Sequence, residues 1–176
     1  MASAAAASSE PMTVRDGSLL FVVSLASVLP RAEPFFAAEC RAIVTPPAPM
    51  VYQPRKMSSG LIAHFYVASS LQRRFTVNCV IDPSIAHVSP GPGLDSLRDG
   101  LLDDNDANLI SEHAVTFDGS PGRQIRFKRG DREVEARIFL IKEEALTLEV
   151  EGAHETLDST ETSEFFASLV VYQGAR

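Results

Sequence analysis

The chain has 176 residues, 45% of them hydrophobic and 22% charged, enough for one domain with a real core and short for two. A net charge of -7 argues against general nucleic-acid binding, which needs a basic footprint to displace counterions. That charge is uneven: residues 1–92 hold 7 Lys/Arg against 5 Asp/Glu, while residues 93–176 hold 9 against 18, which predicts an acidic surface on the second half.

Residues 1–11 are Ala/Ser-rich without periodicity and predict a disordered tail ahead of a single domain over 12–176. The longest apolar run, 19–29, is about ten residues short of a bilayer-crossing helix, so no membrane span is expected. Phe21-Val22-Val23 favours a strand there over a short buried helix. The first residues lack the basic region and apolar core of a secretory signal, which implies a cytoplasmic protein as the sequence is written. Translation from Met12 would place Arg15 before the apolar run, and export is the alternative.

Thr45-Pro46-Pro47-Ala48-Pro49, Pro54 and Ser58-Ser59-Gly60 predict a long loop without regular structure. Within it Val51, Tyr52, Arg55 and Lys56 are candidate partner-binding residues, because loops on a rigid sheet commonly carry function. Strands follow at about 61–68 and 74–82. In the second, alternation sets Cys79 on the face of Phe75, Val77 and Ile81, and a free buried thiol is expected; a bond to Cys40 is the alternative.

Leu94, Leu97, Leu101 and Leu102 recur at helical spacing, with Asp95 and Asp99 toward the positive N-terminal end, and the helix should stop between 102 and 105. A strand over about 109–117 and a turn at 118–122 come next. A two-residue turn at Gly130-Asp131 then pairs Arg129 with Arg132. The register sets Phe127 opposite Val134 and Ile125 opposite Ala136 on one face, with Lys128 opposite Glu133 and Arg126 opposite Glu135 on the other; a one-residue slip destroys both patterns. Residues 137–141 read as a strand buried on both faces, and Leu146, Leu148 and Val150 continue the sheet after a turn at 142–144. Asp158 with Glu161 predicts a capping box for a last helix whose apolar stripe is Phe165, Phe166 and Leu169. The expected fold is α+β, an antiparallel sheet covered by helices on both faces in an α/β/α sandwich.

Four stretches together resemble a known fold: Leu94-Asp-Ser-Leu-Arg-Asp-Gly-Leu-Leu102, Leu109-Ile-Ser-Glu-His113 through Gly119-Ser-Pro-Gly-Arg123, Arg137-Ile-Phe-Leu-Ile141, and Ser163-Glu-Phe-Phe-Ala-Ser-Leu169. Their order is similar to that in uncharacterised bacterial proteins whose fold looks like the PsbP extrinsic proteins of photosystem II, shared with a nuclear-import Ran-release factor. The resemblance covers residues 94–171, with a vaguer fit at 12–24 and 61–82, and residues 30–60 depart from it. It implies a protein that binds large partners without turning over a substrate, and it carries no functional residue to a position here.

Each chemical grouping in the sequence fails on a geometric requirement. Asp104, Asp106 and Asn108 match the first, third and fifth positions of a calcium loop, but Leu109 and Val115 stand where the required Gly and bidentate Glu belong. In Ser111-Glu112-His113 the Glu points away from both neighbours and cannot orient the His. His64, His87, His113 and His154 are scattered, and Gly91-Pro92-Gly93 has proline where a phosphate loop needs an N–H. No catalytic residue, metal or cofactor is therefore expected. Of the basic cluster Arg123, Arg126, Lys128, Arg129 and Arg132, only Arg129 and Arg132 at the hairpin tip lack an evident partner, which makes them candidates for an acidic-peptide contact. The sequence favours a non-enzymatic binding or accessory module for a protein partner. A small hydrolase with a loop-assembled site and a chaperone-like adaptor shielding an apolar segment are the alternatives.

Overall fold

A computed structural model describes residues 32–70, 72–103 and 107–172. The expected tail at 1–11, the apolar stretch at 19–29, and Asp104 and Asp106 of the calcium-like run lie outside the described residues. Two short strands, β1 (Phe35–Ala37) and β2 (Ala42–Val44), precede β3 (Val51–Lys56), β4 (Ile62–Ser69) and β5 (Arg74–Ile81). A 3-10 turn at Pro83–His87 leads into α1 (Pro90–Asp103). Four ten- or nine-residue strands follow as a meander, β6 (Asn108–Phe117), β7 (Ser120–Arg129), β8 (Arg132–Ile141) and β9 (Glu144–Gly152). The chain closes with α2 (His154–Leu157), α3 (Thr160–Ala167) and β10 (Val170–Val171).

Every pairing is antiparallel. Among the described residues the main sheet has seven strands in the order β3-β4-β5-β9-β8-β7-β6, and a separate three-stranded sheet runs β1-β2-β10. The two faces of the main sheet are set by alternation along its central strands. On β8, Val134, Ala136 and Ile138 look to one face and Phe139 and Ile141 to the other, and all five are buried, as the run at 137–141 predicts. The first face gathers Ile125, Phe127, Val134 and Ala136 under Leu101 and Leu102 of α1. The second holds the larger core, where Phe75, Val77, Leu146, Leu148 and Val150 pack with Phe165 and Phe166 and with Ala37, Ala42 and Val44 of the small sheet. Helix α1 packs on β7 and β8; over β3, β4 and β5 that same face carries no helix among the described residues.

The Gly130-Asp131 hairpin has the expected register, with Phe127 opposite Val134 and Lys128 opposite Glu133, and Gly130 at φ +62°. Three expectations need correction. The loop at 45–60 contains a strand: β3 pairs with β4 over six residues, and Pro54 is tolerated because β3 is the edge of the sheet. Cys79 does face the core, but it is bonded to Cys40 across a separation of 39 residues, so neither is a free thiol. Alternation along β5 fixes the face of Cys79; only the packing of the β1–β2 turn against it brings Cys40 within reach. The last helix is capped by Ser159, whose Oγ accepts from the Thr162 N–H at 3.2 Å, one residue after the expected Asp158. Asp158 instead accepts from Arg126, and Glu161 pairs with Arg73.

Candidate binding cleft

Strand β5 has apolar residues on one side and Arg74, Thr76 and Asn78 on the other. An interior strand with a polar face has to face a solvent-filled hollow or a set of polar partners. Here it does both. The alternating partners of those three residues are Glu151, Glu149 and Thr147 on β9, and Asn78 lies opposite Phe65 on β4. Arg74, Thr76, Asn78, Glu149, Glu151 and Phe65, together with Arg55 on β3, Leu101 on α1 and Arg129 from the hairpin, line a cleft of about 350 Å³.

One end of the cleft is electrostatically satisfied. Arg129 Nη1 lies 3.2 Å from Glu151 Oε2 and its Nη2 3.7 Å from Glu149 Oε2. Arg74 approaches the same Glu151 oxygen at 4.0 Å, and Arg132 Nε reaches its other oxygen at 3.3 Å. Burial raises the Glu149 carboxyl above its ordinary range, opposed by the attraction of Arg129 and Arg74 and reinforced by neighbouring Glu151.

The other end has unspent donors. The Arg55 guanidinium stacks over the Phe65 ring at 4.7 Å and has no carboxylate partner among the described residues. Asn78 Oδ1 is buried without a hydrogen-bond partner, and no protein acceptor meets its Nδ2 among the described residues. Thr76, 5% exposed, supplies the floor between the two ends.

The candidate residues named from sequence therefore separate. Val51, Tyr52, Arg55 and Lys56 stand together on β3, every one of them exposed. Val51 and Arg55 alternate to the cleft face; Tyr52 and Lys56 to the other, where the Tyr52 hydroxyl bonds His64 Nδ1 at 2.8 Å. Arg129 and Arg132 at the hairpin tip do have partners, contrary to expectation: Glu149 and Glu151 for the first, Glu151 and the Gln72 carbonyl for the second. Those acids come from β9, outside the hairpin whose internal pairing was legible. Phe65, Arg74, Thr76, Asn78, Glu149 and Glu151 were not singled out from sequence. The signal was present in the polar alternation of a strand destined for the interior.

Glu112 is engaged by Arg98 and Arg123; burial would raise its pKa, and these hydrogen bonds and charges hold it below the usual carboxylate range. Cys40 Sγ, Cys79 Sγ and a Glu144 oxygen lie within 4.8 Å of one another, but the disulfide consumes both thiolates a metal would need. No helix among the described residues is long and apolar enough to cross a membrane.

No family model matches the chain, and no curated protein matches it in sequence. Among solved structures, that of cyanobacterial PsbP (CyanoP) from Synechocystis sp. PCC 6803 superposes with a TM-score of 0.58, covering 86% of this chain and 99% of that one at 14% identity. The chain has a PsbP-like fold. A protein of unknown function, PA94 from Pseudomonas aeruginosa, matches at a TM-score of 0.46 and 10% identity over 70% of this chain and 99% of that one. The PsbP-like sheet supplies the frame, and the cleft is read from this chain's own side chains.

Proposed function

We propose that this protein is a non-enzymatic binding module that recognises a protein partner through the β3 edge and the adjoining cleft. One observation carries the reading: among the described residues β3 is a sheet-edge strand exposed along all six residues, and its cations Arg55 and Lys56 have no ion-pair partner. A strand with one edge unpaired among the described residues, exposed Val51 and Tyr52, and uncommitted positive charge offers an oriented surface of the kind extended segments dock against. Charge complementarity there would set orientation and on-rate.

Two finer readings belong with this proposal. The α/β/α sandwich is supported by α1 packing over Ile125, Phe127, Val134 and Ala136 while α3 packs on Phe75, whose ring lies 5.2 Å from Phe165. Export is favoured over the cytoplasm by the buried Cys40–Cys79 bond, because disulfides persist in oxidising compartments.

The test is site-specific photo-crosslinking in the cells that make the protein, with the photoreactive residue at Tyr52 and, as control, at Thr116 on the far edge. A discrete protein adduct from position 52 that disappears in the Arg55→Glu, Lys56→Glu double variant is the expected result. Equal adducts from both edges would overturn the reading, as would substrate turnover abolished by a single Ser or His substitution.

A further inference from the structure

Among the described residues the uncommitted charge of the cleft is one-sided. Both of its carboxylates, Glu149 and Glu151, are engaged by Arg129, Arg74 and Arg132. What remains uncommitted are the Arg55 guanidinium, already desolvated on one face by the Phe65 ring, and the side-chain amide of Asn78, opposite Phe65, whose Oδ1 is buried and whose Nδ2 meets no protein acceptor among the described residues. The uncommitted charge is that of Arg55, and a planar guanidinium favours an acceptor with two oxygens. Counting both acids as ionised, the lining residues Arg55, Arg74 and Arg129 still exceed them by one positive charge, so a carboxylate entering near Arg55 meets net attraction. The cleft opens beside exposed β3, so a carboxylate attached to a chain gains contacts along Val51 and Arg55 that a free anion lacks.

We propose that the cleft binds an acidic side chain, Asp or Glu, of a polypeptide segment lying against β3, with its carboxylate held by Arg55 and the Asn78 Nδ2 group above the Phe65 ring. This rests on the protein-binding reading and names the chemistry of the partner. Arg55 sets the charge requirement; Asn78 adds an uncharged donor that fixes the carboxylate plane. Arg129, placed at the hairpin tip by sequence alone, serves the site by neutralising Glu149 and Glu151 so that they do not repel the incoming acid.

The full chain, titrated with acetyl-Gly-Glu-Gly-amide and followed by the side-chain amide resonances of Asn78, should show saturable binding. The matching Gln peptide and sodium acetate should each bind about tenfold more weakly, the scale of one charge-assisted hydrogen bond or of the chain contacts. Arg55→Ala should abolish the response; Asn78→Leu, followed instead by the backbone amide resonances of Phe65 and Thr76, should weaken binding; and Lys128→Ala, on the opposite face with the same change of charge, should leave it unaltered. Acetate binding as tightly as the peptide would overturn the polypeptide assignment. No saturable binding, or binding indifferent to Arg55, would overturn the site. A Tyr52 crosslink that persists after either failure leaves the protein-binding reading standing, and its loss with peptide binding intact removes that reading instead.

Discussion

The Glu144 carboxylate opens β9 at 1% exposure, with Oε2 3.2 Å from Arg41 Nη2 and Oε1 buried without a hydrogen-bond partner among the described residues. Burial pushes its pKa up to about 7, because desolvation outweighs the pull of the half-exposed Arg41. A carboxyl that binds its proton more tightly when folded contributes stability below its unfolded pKa, and that contribution fades as pH rises through the folded one. Stability should therefore decline between about pH 4.5 and pH 7, by on the order of 3 kcal/mol, since each pH step of one between the unfolded and folded pKa removes about 1.4 kcal/mol. Glu144→Gln should flatten that part of the urea-midpoint profile and raise the midpoint at pH 8. A variant profile parallel to the parent's would mean that Glu144 is solvated after all. Nothing in the sequence marks Glu144 as buried, since it follows a charged turn, Lys142-Glu143, that reads as solvent-facing.

At the scale of elements, what the sequence makes legible is what its own neighbours determine. The β7–β8 hairpin is specified within the twelve contiguous positions 125–136, because turn residue, apolar matches and charge matches all agree on one register. Strand β3 depends on β4, and its proline content argues against a strand until the edge position is known. The cap of α3 shifts by one residue because Ser159 and Asp158 are both competent caps, and Arg126 claims Asp158 from another strand. The turn itself yields a clean test. Gly130 has φ +62° and an added Cβ would meet nothing within 4 Å, so Gly130→Val strains the backbone without a steric clash. The expected cost is roughly 1–3 kcal/mol in chemical denaturation. An unchanged midpoint would show that the turn can relax to another type, and the register would then rest on side-chain pairing alone.

At the scale of the whole molecule the small sheet and the cleft lie on opposite sides of the same strands. Cys40, in the turn between β1 and β2, is tied to Cys79 on β5, while Arg74, Thr76 and Asn78 of that strand look the other way, into the cleft. The sequence could place Cys79 and the polar residues on opposite faces of one strand, since that needs only alternation. It could not assemble the cleft, which draws on β3, β4, β5, β9, α1 and the hairpin through contacts that exist only in the folded chain. This arrangement predicts separable effects. Closing a loop over 39 residues should stabilise the fold by about 4 kcal/mol through the lost entropy of the unfolded chain. Removing the bond, by reduction or in a Cys40→Ser, Cys79→Ser double variant, should lower the denaturation midpoint accordingly. Backbone amides of Phe35–Ala37 and Ala42–Val44 should gain hydrogen exchange first, because the small sheet holds to the larger one chiefly through this bond and the core around Phe165 and Phe166. Under conditions where the double variant remains folded, the peptide response at Asn78 should be retained within about twofold, since Arg55, Phe65 and Asn78 lie across the sheet from the broken bond. Uniform exchange across both sheets would show instead that they unfold as one unit, with the disulfide stapling the whole molecule and not its small sheet alone.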